Sequence, residues 1–218
     1  MAEELGKIEK PAAERFQGKK KLYLVPLLFS WKDSPPDYIE KYNLYWQQVR
    51  EHIASLESRI GSIKIIYHES VTEAGDNGIE ILQKLNPSSH QLVREKCLMG
   101  AHLEVAEDRE TIEESMDWER HMMIGFLSNK VATLISQFYN EASKKRYDHI
   151  MQRIKDTLPD GDVALLIIRE GHGIQFPPDI EVFSVSPPAL NDIRRWLRER
   201  QDKSDIDIEE KVDQEKKE

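Results

Sequence analysis

One cysteine, Cys97, occurs in the 218 residues. A single thiol excludes an intrachain disulfide and any zinc-finger ligand set, and it fits a reducing compartment. Cys97 reads as a small half-buried residue rather than a nucleophile, because Arg94 and Lys96 beside it are weak activators of a thiolate. No stretch reaches the roughly 20 apolar residues that span a bilayer. The opening Met1-Ala2-Glu3-Glu4-Leu5-Gly6-Lys7 has no apolar signal region. The expectation is a cytoplasmic protein with no membrane partner. Basic charge is in deficit: 31 Lys and Arg stand against 40 Asp and Glu, for a net charge of −9. A sequence-independent hold on nucleic acid phosphates is therefore not expected. Also missing are a GxxxxGK(S/T) loop, a GxGxxG after a strand, a GxSxG elbow and a CxxC pair, so nucleoside triphosphate, dinucleotide, serine-hydrolase and dithiol chemistries lack their local signatures.

What is present points to an α/β chain. Val163-Ala164-Leu165-Leu166-Ile167-Ile168 is continuously apolar and mostly branched, as a strand buried on both faces must be. Three further segments read as strands: 22 to 29, 63 to 67 and 180 to 185. Pro26 lacks a ladder donor and argues for an edge position or a bulge in the first of these. The reading is a small central mixed or parallel sheet of about four strands with a dominant long helical region. The divisions are a flexible lead-in over 1–20, a single α/β domain over 21–200, and a charged, disordered tail over 201–218.

Helices are marked by their caps and periodicity. Ser34, Pro35 and Asp37 open one whose apolar face carries Tyr42, Tyr45, Val49, Ile53, Leu56 and Ile60, with Gly61 ending it. A short helix is expected from Gly78 to Leu85, and Asn86-Pro87-Ser88-Ser89 recaps the chain for another through His90, Val93 and Cys97. The segment from Met99 to Asp108 is read as helix from its propensities, although Leu103 and Val105 alternate as in a strand. From Arg109 to Leu158 one very long helix or two in tandem are expected, with a bend near Ser143-Lys144-Lys145. Ile112, Met116, Met123, Leu127, Val131, Leu134, Phe138 and Ala142 form a stripe with seven-residue spacing that suits packing or a partner-helix seam. A last helix carries Leu190, Ile193, Trp196 and Leu197, and its Arg194, Arg195, Arg198 and Arg200 read as a solvated face.

Ionisable residues collect where strands end. Ile168 is followed by Arg169-Glu170-Gly171-His172-Gly173, and Tyr67 by His68-Glu69-Ser70. In open α/β sheets ligands gather at the carboxyl ends of the strands. Two glycines around His172 let the backbone turn sharply and bring the imidazole toward a ligand. A second cluster, Glu114, Asp117 and His121, falls on one helical face and supplies half a metal site or a solvated charged face.

The order of these elements resembles the TraB/Tiki and erythromycin-esterase/ChaN-like group. The resemblance rests on the second strand ending in Glu69, the helical pair Glu119-Arg120, and the late Val163 to Ile168 strand running into Arg169-Glu170-Gly171-His172-Gly173. It implies a metal-assisted hydrolytic site with Glu69, Arg120 and His172 as catalytic residues, and Glu69 and His172 as ligands to a divalent metal. The chain departs from the family at its first strand, where a Gly-x-x-His motif is replaced by Pro26-Leu27-Leu28-Phe29-Ser30. Two readings follow. One is a metal-assisted or acid/base hydrolase; the other, favoured by the missing histidine, is a non-catalytic protein that binds a small molecule or forms a homodimer through the long apolar stripe.

Overall fold

A computed structural model describes residues 18–200, and the charged tail and nearly all of the expected lead-in lie outside these residues. Five strands form one sheet in the order β3-β2-β4-β1-β5, with β1 at Lys20–Pro26, β2 at Ile65–His68, β3 at His102–Leu103, β4 at Val163–Ile168 and β5 at Ile180–Ser184. Every pairing is parallel. Helices α1 (Pro36–Glu57), α2 (Gly75–Leu85), α3 (Pro87–Leu98), α4 (Arg109–Met122) and α5 (Asn129–Thr157) join the strands. A helix over 188–200, α6, follows β5.

The apolar run of β4 has the cause expected of it. All six residues are buried, and their side chains alternate between two cores, as the pleat requires. Val163, Leu165 and Ile167 join Tyr23 and Val25 in a core covered by α1, α2, α3 and α6. Ala164, Leu166 and Ile168 join Leu22 and Tyr67 in a second core covered by Ile150 and Ile154 of α5. The sheet is thus enclosed between helical layers, which is how parallel sheets bury both faces.

Several boundaries differ from the sequence expectation. The first strand is interior rather than at an edge. Leu27 N donates to Ile168 O of β4, so by alternation the nitrogen of Pro26 faces β5, where pairing has already ended at Leu24 and Ser184. The proline therefore costs no ladder bond. The Met99 to Asp108 segment supplies a two-residue strand, because His102 and Leu103 complete the sheet beside Ile65 and Ile66. Helix propensity there yields to the unpaired edge of β2. The long helical region breaks at 123–128 rather than near Ser143, and Ser143 to Lys145 lie inside continuous α5. Between the last two strands the chain makes a crossover without a helix, since β4 and β5 both run parallel to β1.

Asn86 ties three of these elements together. Its Oδ1 accepts from Ser89 N at 3.0 Å and from the Tyr42 hydroxyl at 3.1 Å, while its Nδ2 donates to Leu28 O at 2.7 Å. The residue is buried. Asn86→Ala should lower unfolding free energy by about 2 kcal/mol, combining a lost cap with unpaired buried groups. Chemical denaturation of the two proteins measures this, and a difference below about 0.5 kcal/mol would contradict it.

Candidate functional site

The carboxyl ends of β2 and β4 meet over a buried charge network. Glu69 directly follows β2 and is 1% exposed. Its Oε1 accepts from Arg146 Nη2 at 3.2 Å and from Arg169 Nε, and its Oε2 accepts the backbone N–H of Arg169 at 2.6 Å. Arg146, on the sheet-facing side of α5, makes a two-pronged contact with Glu107: Nε to Oε2 at 2.6 Å and Nη2 to Oε1 at 2.5 Å. Glu107 also accepts Ser70 N at 2.9 Å. That bond holds the turn after β2, where Ser70 adopts φ 69 despite having a side chain. Arg169 reaches outward to Glu119 of α4 through Nη1, at 3.0 and 3.2 Å.

Three carboxylates and two guanidinium groups thus form one chain from α4 to the loop after β3. Burial works against the charged form of Arg146, but Glu107 and Glu69 outweigh it and hold the guanidinium's pKa above its ordinary value. For Arg169 burial is likewise overcome, by Glu69 and Glu119.

His172 follows β4 through a turn in which Gly171 has φ 76, a conformation that favours glycine. Gly173 has no positive φ. A Cβ there would meet the Tyr147 ring at 3.4 Å, close to ordinary contact. The imidazole packs between the edges of Tyr147 and Phe176, with ring centroids 6.5 and 6.1 Å away. Its Nδ1 is buried and has no hydrogen-bond partner among the described residues. Burial lowers its pKa, partly opposed by the negative charge of Glu69, so the neutral ring is favoured.

Beside His172 lies a cavity of about 210 Å³ at the ends of β4, β1 and β5, whose polar lining includes Arg169, His172, Ser184, Ser186 and Arg194. Leu24, Pro26 and Ile168 supply apolar lining. Connections from the neighbouring strands β1 and β4 leave in opposite directions, toward β2 and β5, which is where an open α/β sheet leaves a crevice. Glu170 lines the same space and is held there by Arg194, accepting from Nη2 and, at 3.1 Å, from Nε.

The residues singled out by sequence separate into two groups. Glu69 and His172 both lie at the carboxyl end of the sheet. Arg120 does not join them: it is on the solvent side of α4, pairing with Asp117 at 2.9 Å. Helical geometry explains the exchange, since adjacent helix positions face about 100° apart and it is Glu119 that turns toward Arg169. The proposed half metal site of Glu114, Asp117 and His121 is a solvated face. Glu114 pairs with Lys145 at 3.3 Å, Asp117 with Arg120, and His121 Nδ1 bonds to the backbone oxygen of Asp117 at 2.7 Å. His68 belongs to the core, with Nδ1 2.5 Å from Glu69 O and Nε2 2.9 Å from Ser89 Oγ.

The residues that sequence reasoning missed are Arg146, Glu107 and the pairing role of Arg169. Arg146 had a visible signal. Ala142, Ile150 and Ile154 lie four or eight residues from it on one buried face of α5, and a lone arginine on such a face needs buried acidic partners. Glu107 had none, because it lies in a segment whose structure depends on pairing with β2.

The donor set can be tested against the metal implied by the family resemblance. Both oxygens of Glu69 are already engaged by two arginines, and a divalent cation beside it would face their positive charges. Among the described residues no group of three or more His, Cys, Asp and Glu side chains is arranged to hold a metal ion. The residues present do not fit a metal at Glu69 and His172. No family model, curated protein or solved structure matches the chain. Fold and site together define an α/β protein of parallel sheet with a salt-bridged crevice at the strand ends. Among the described residues no helix is long and apolar enough to cross a membrane.

Proposed function

We propose that this chain is a non-catalytic cytoplasmic protein that binds a small molecule at the carboxyl end of its sheet, in the cavity beside His172. The observation that carries this reading is the commitment of Glu69. A carboxylate that must activate water or hold a metal needs an oxygen free for it, whereas Glu69 is buried and neutralised by Arg146 and Arg169. Its role is to position Arg169 and the turn leading to His172. The alternative, a metal-assisted hydrolase using Glu69, Arg120 and His172, has less support, since Arg120 is spent on Asp117 at the surface.

The lining suggests the class of ligand. The Nδ1 of His172 has no partner among the described residues, and the hydroxyls of Ser184 and Ser186 line the same space together with Arg169, already paired with Glu69 and Glu119, and the Arg194–Glu170 ion pair. A compact, oxygen-rich molecule suits the hydroxyl and imidazole groups over an apolar floor, and a carboxylate or phosphate on it would compete with Glu170 for Arg194. At about 30 Å³ per water the cavity's volume corresponds to roughly seven waters, which limits the ligand to a small metabolite or the end of a larger one.

Calorimetric titration of the full chain with small carboxylates, dicarboxylates and inorganic phosphate tests the proposal. At least one should bind and raise stability by about 2.7 kcal/mol at a concentration 100 times its Kd, and His172→Ala should abolish the effect. Elemental analysis of the same preparations should find no stoichiometric metal. A metal present at one per chain and lost in both Glu69→Gln and His172→Ala would overturn this reading in favour of the hydrolase.

A further inference from the structure

Helix α5 has two different faces at its two ends. Its buried residues are Ala142, Arg146, Ile150 and Ile154, all in the half that packs on the sheet. The first half, from Asn129 to Glu141, contains no buried residue, which leaves about 20 Å of helix uncovered by the sheet at 1.5 Å per residue. Yet that half is not polar. Val131, Leu134 and Phe138 are exposed along it, continuing Leu127 at 109% exposure and Met123 at 78%. Helix α4 lies alongside, with Trp118 stacked on Phe138 at 4.9 Å, and it leaves this stripe open.

The spacing of the stripe says what covers it. Within α5, Val131, Leu134 and Phe138 follow one another by three and four residues, the repeat with which one helix seats against another, and Leu127 stands just ahead of the helix. The charges beside the stripe say which helix. Lys130 and Glu141 are about three turns apart on the same flank, both exposed and neither with an ion-pair partner among the described residues. A two-fold axis that pairs two antiparallel helices places like flanks together. Each Lys130 then lies opposite the partner's Glu141, twice per pair.

We infer that the exposed half of α5 is the interface of a two-fold homodimer in which the helices of two copies pack antiparallel about Ile135 and Ser136. The charges on this face are complementary to themselves about that axis, as a closed two-fold dimer requires. This inference is independent of the ligand reading, since the stripe contains no residue of the cavity.

Light scattering coupled to size exclusion, on the full chain over a range of concentrations, tests it. The wild type should have a mass twice the 25.4 kDa of one chain, and Leu134→Glu should give the single-chain mass with unchanged circular dichroism. Should that variant fold poorly, Leu127→Ser at its exposed site serves in its place. The decisive arm is a charge exchange. Lys130→Glu should raise the dimer dissociation constant about tenfold, because two attractions become repulsions. Lys130→Glu combined with Glu141→Lys should bring it back. A monomeric wild type at about 100 μM, well above a micromolar Kd, would overturn the inference, whether the tail or another protein covers the stripe instead. A dimer indifferent to Leu134→Glu and Leu127→Ser would overturn it too, as would a double exchange that fails to restore pairing.

Discussion

Arg146→Met should lower the unfolding free energy by about 3–5 kcal/mol, the usual loss when one partner of a buried ion pair is removed. For a chain of this size that is a fall in Tm of about 6–20 °C. The size of the effect comes from what is left behind. Glu69 retains the side chain and backbone N–H of Arg169, but Glu107 would keep only the Ser70 N–H and hold a charge in the interior without a counterion. Methionine fills much of the arginine's volume, so the loss reports charge rather than a void. The pairing predicts a rescue as well. Adding Glu107→Gln to Arg146→Met removes the orphaned charge while keeping an acceptor for Ser70, and should recover about 1–2 kcal/mol. Urea denaturation of the three proteins measures both quantities. A single-variant loss below about 1 kcal/mol would mean that the network is not a buried one.

The second large effect is a loss of stability in mild acid traceable to His68. This ring is fully enclosed, and burial lowers its pKa from 6.5 to about 4, with the backbone oxygen and charge of Glu69 opposing the shift. The hydrogen bonds fit a neutral ring: Nδ1–H donates to Glu69 O, and Nε2 accepts from the Ser89 hydroxyl. Between about pH 6.5 and 4 the unfolded chain binds a proton at this position that the folded chain refuses. Stability is therefore complete above pH 6.5 and falls as the pH drops, by about 3 kcal/mol for a shift of this size. His68→Asn should be less stable than the wild type at pH 7, and its stability should vary less between pH 7 and 4 by about that amount. Carboxylates that titrate in this range affect both proteins and cancel in the comparison. Parallel pH profiles for the two would rule out His68 as the source.

The strands were legible where burial dominates: β4 begins and ends where its branched apolar run does, and the caps around Asn86 recur in the structure as an accepted Ser89 N–H. The position of Glu69 and His172 at one end of the sheet followed from their places after apolar runs. Three things did not follow. Strand β3 has no periodicity of its own at two residues, so it exists only as a ladder to β2. The break at 123–128 was masked by apolar residues that continue the helical spacing while facing solvent. Arg120 enters only through the family resemblance, as part of the Glu119-Arg120 pair, whereas burial on α5 is what brings an arginine, Arg146, to Glu69.

Sheet order also constrains how the chain reaches this fold. The middle of the sheet is built from its two most distant parts: Lys21 to Pro26 pair with Val163 to Ile168 on one side and Lys20 to Leu24 with Ile180 to Ser184 on the other. Strand β1 leaves the ribosome early and has no neighbour until β4 emerges, since β2 pairs with β3 and β4 but never with it. Contacts of such long sequence separation close late and slow folding. During synthesis the segment Leu22-Tyr23-Leu24-Val25, apolar on both faces, waits with two open edges. For that interval, rather than in the finished protein, this chain is most exposed to wrong pairing between copies.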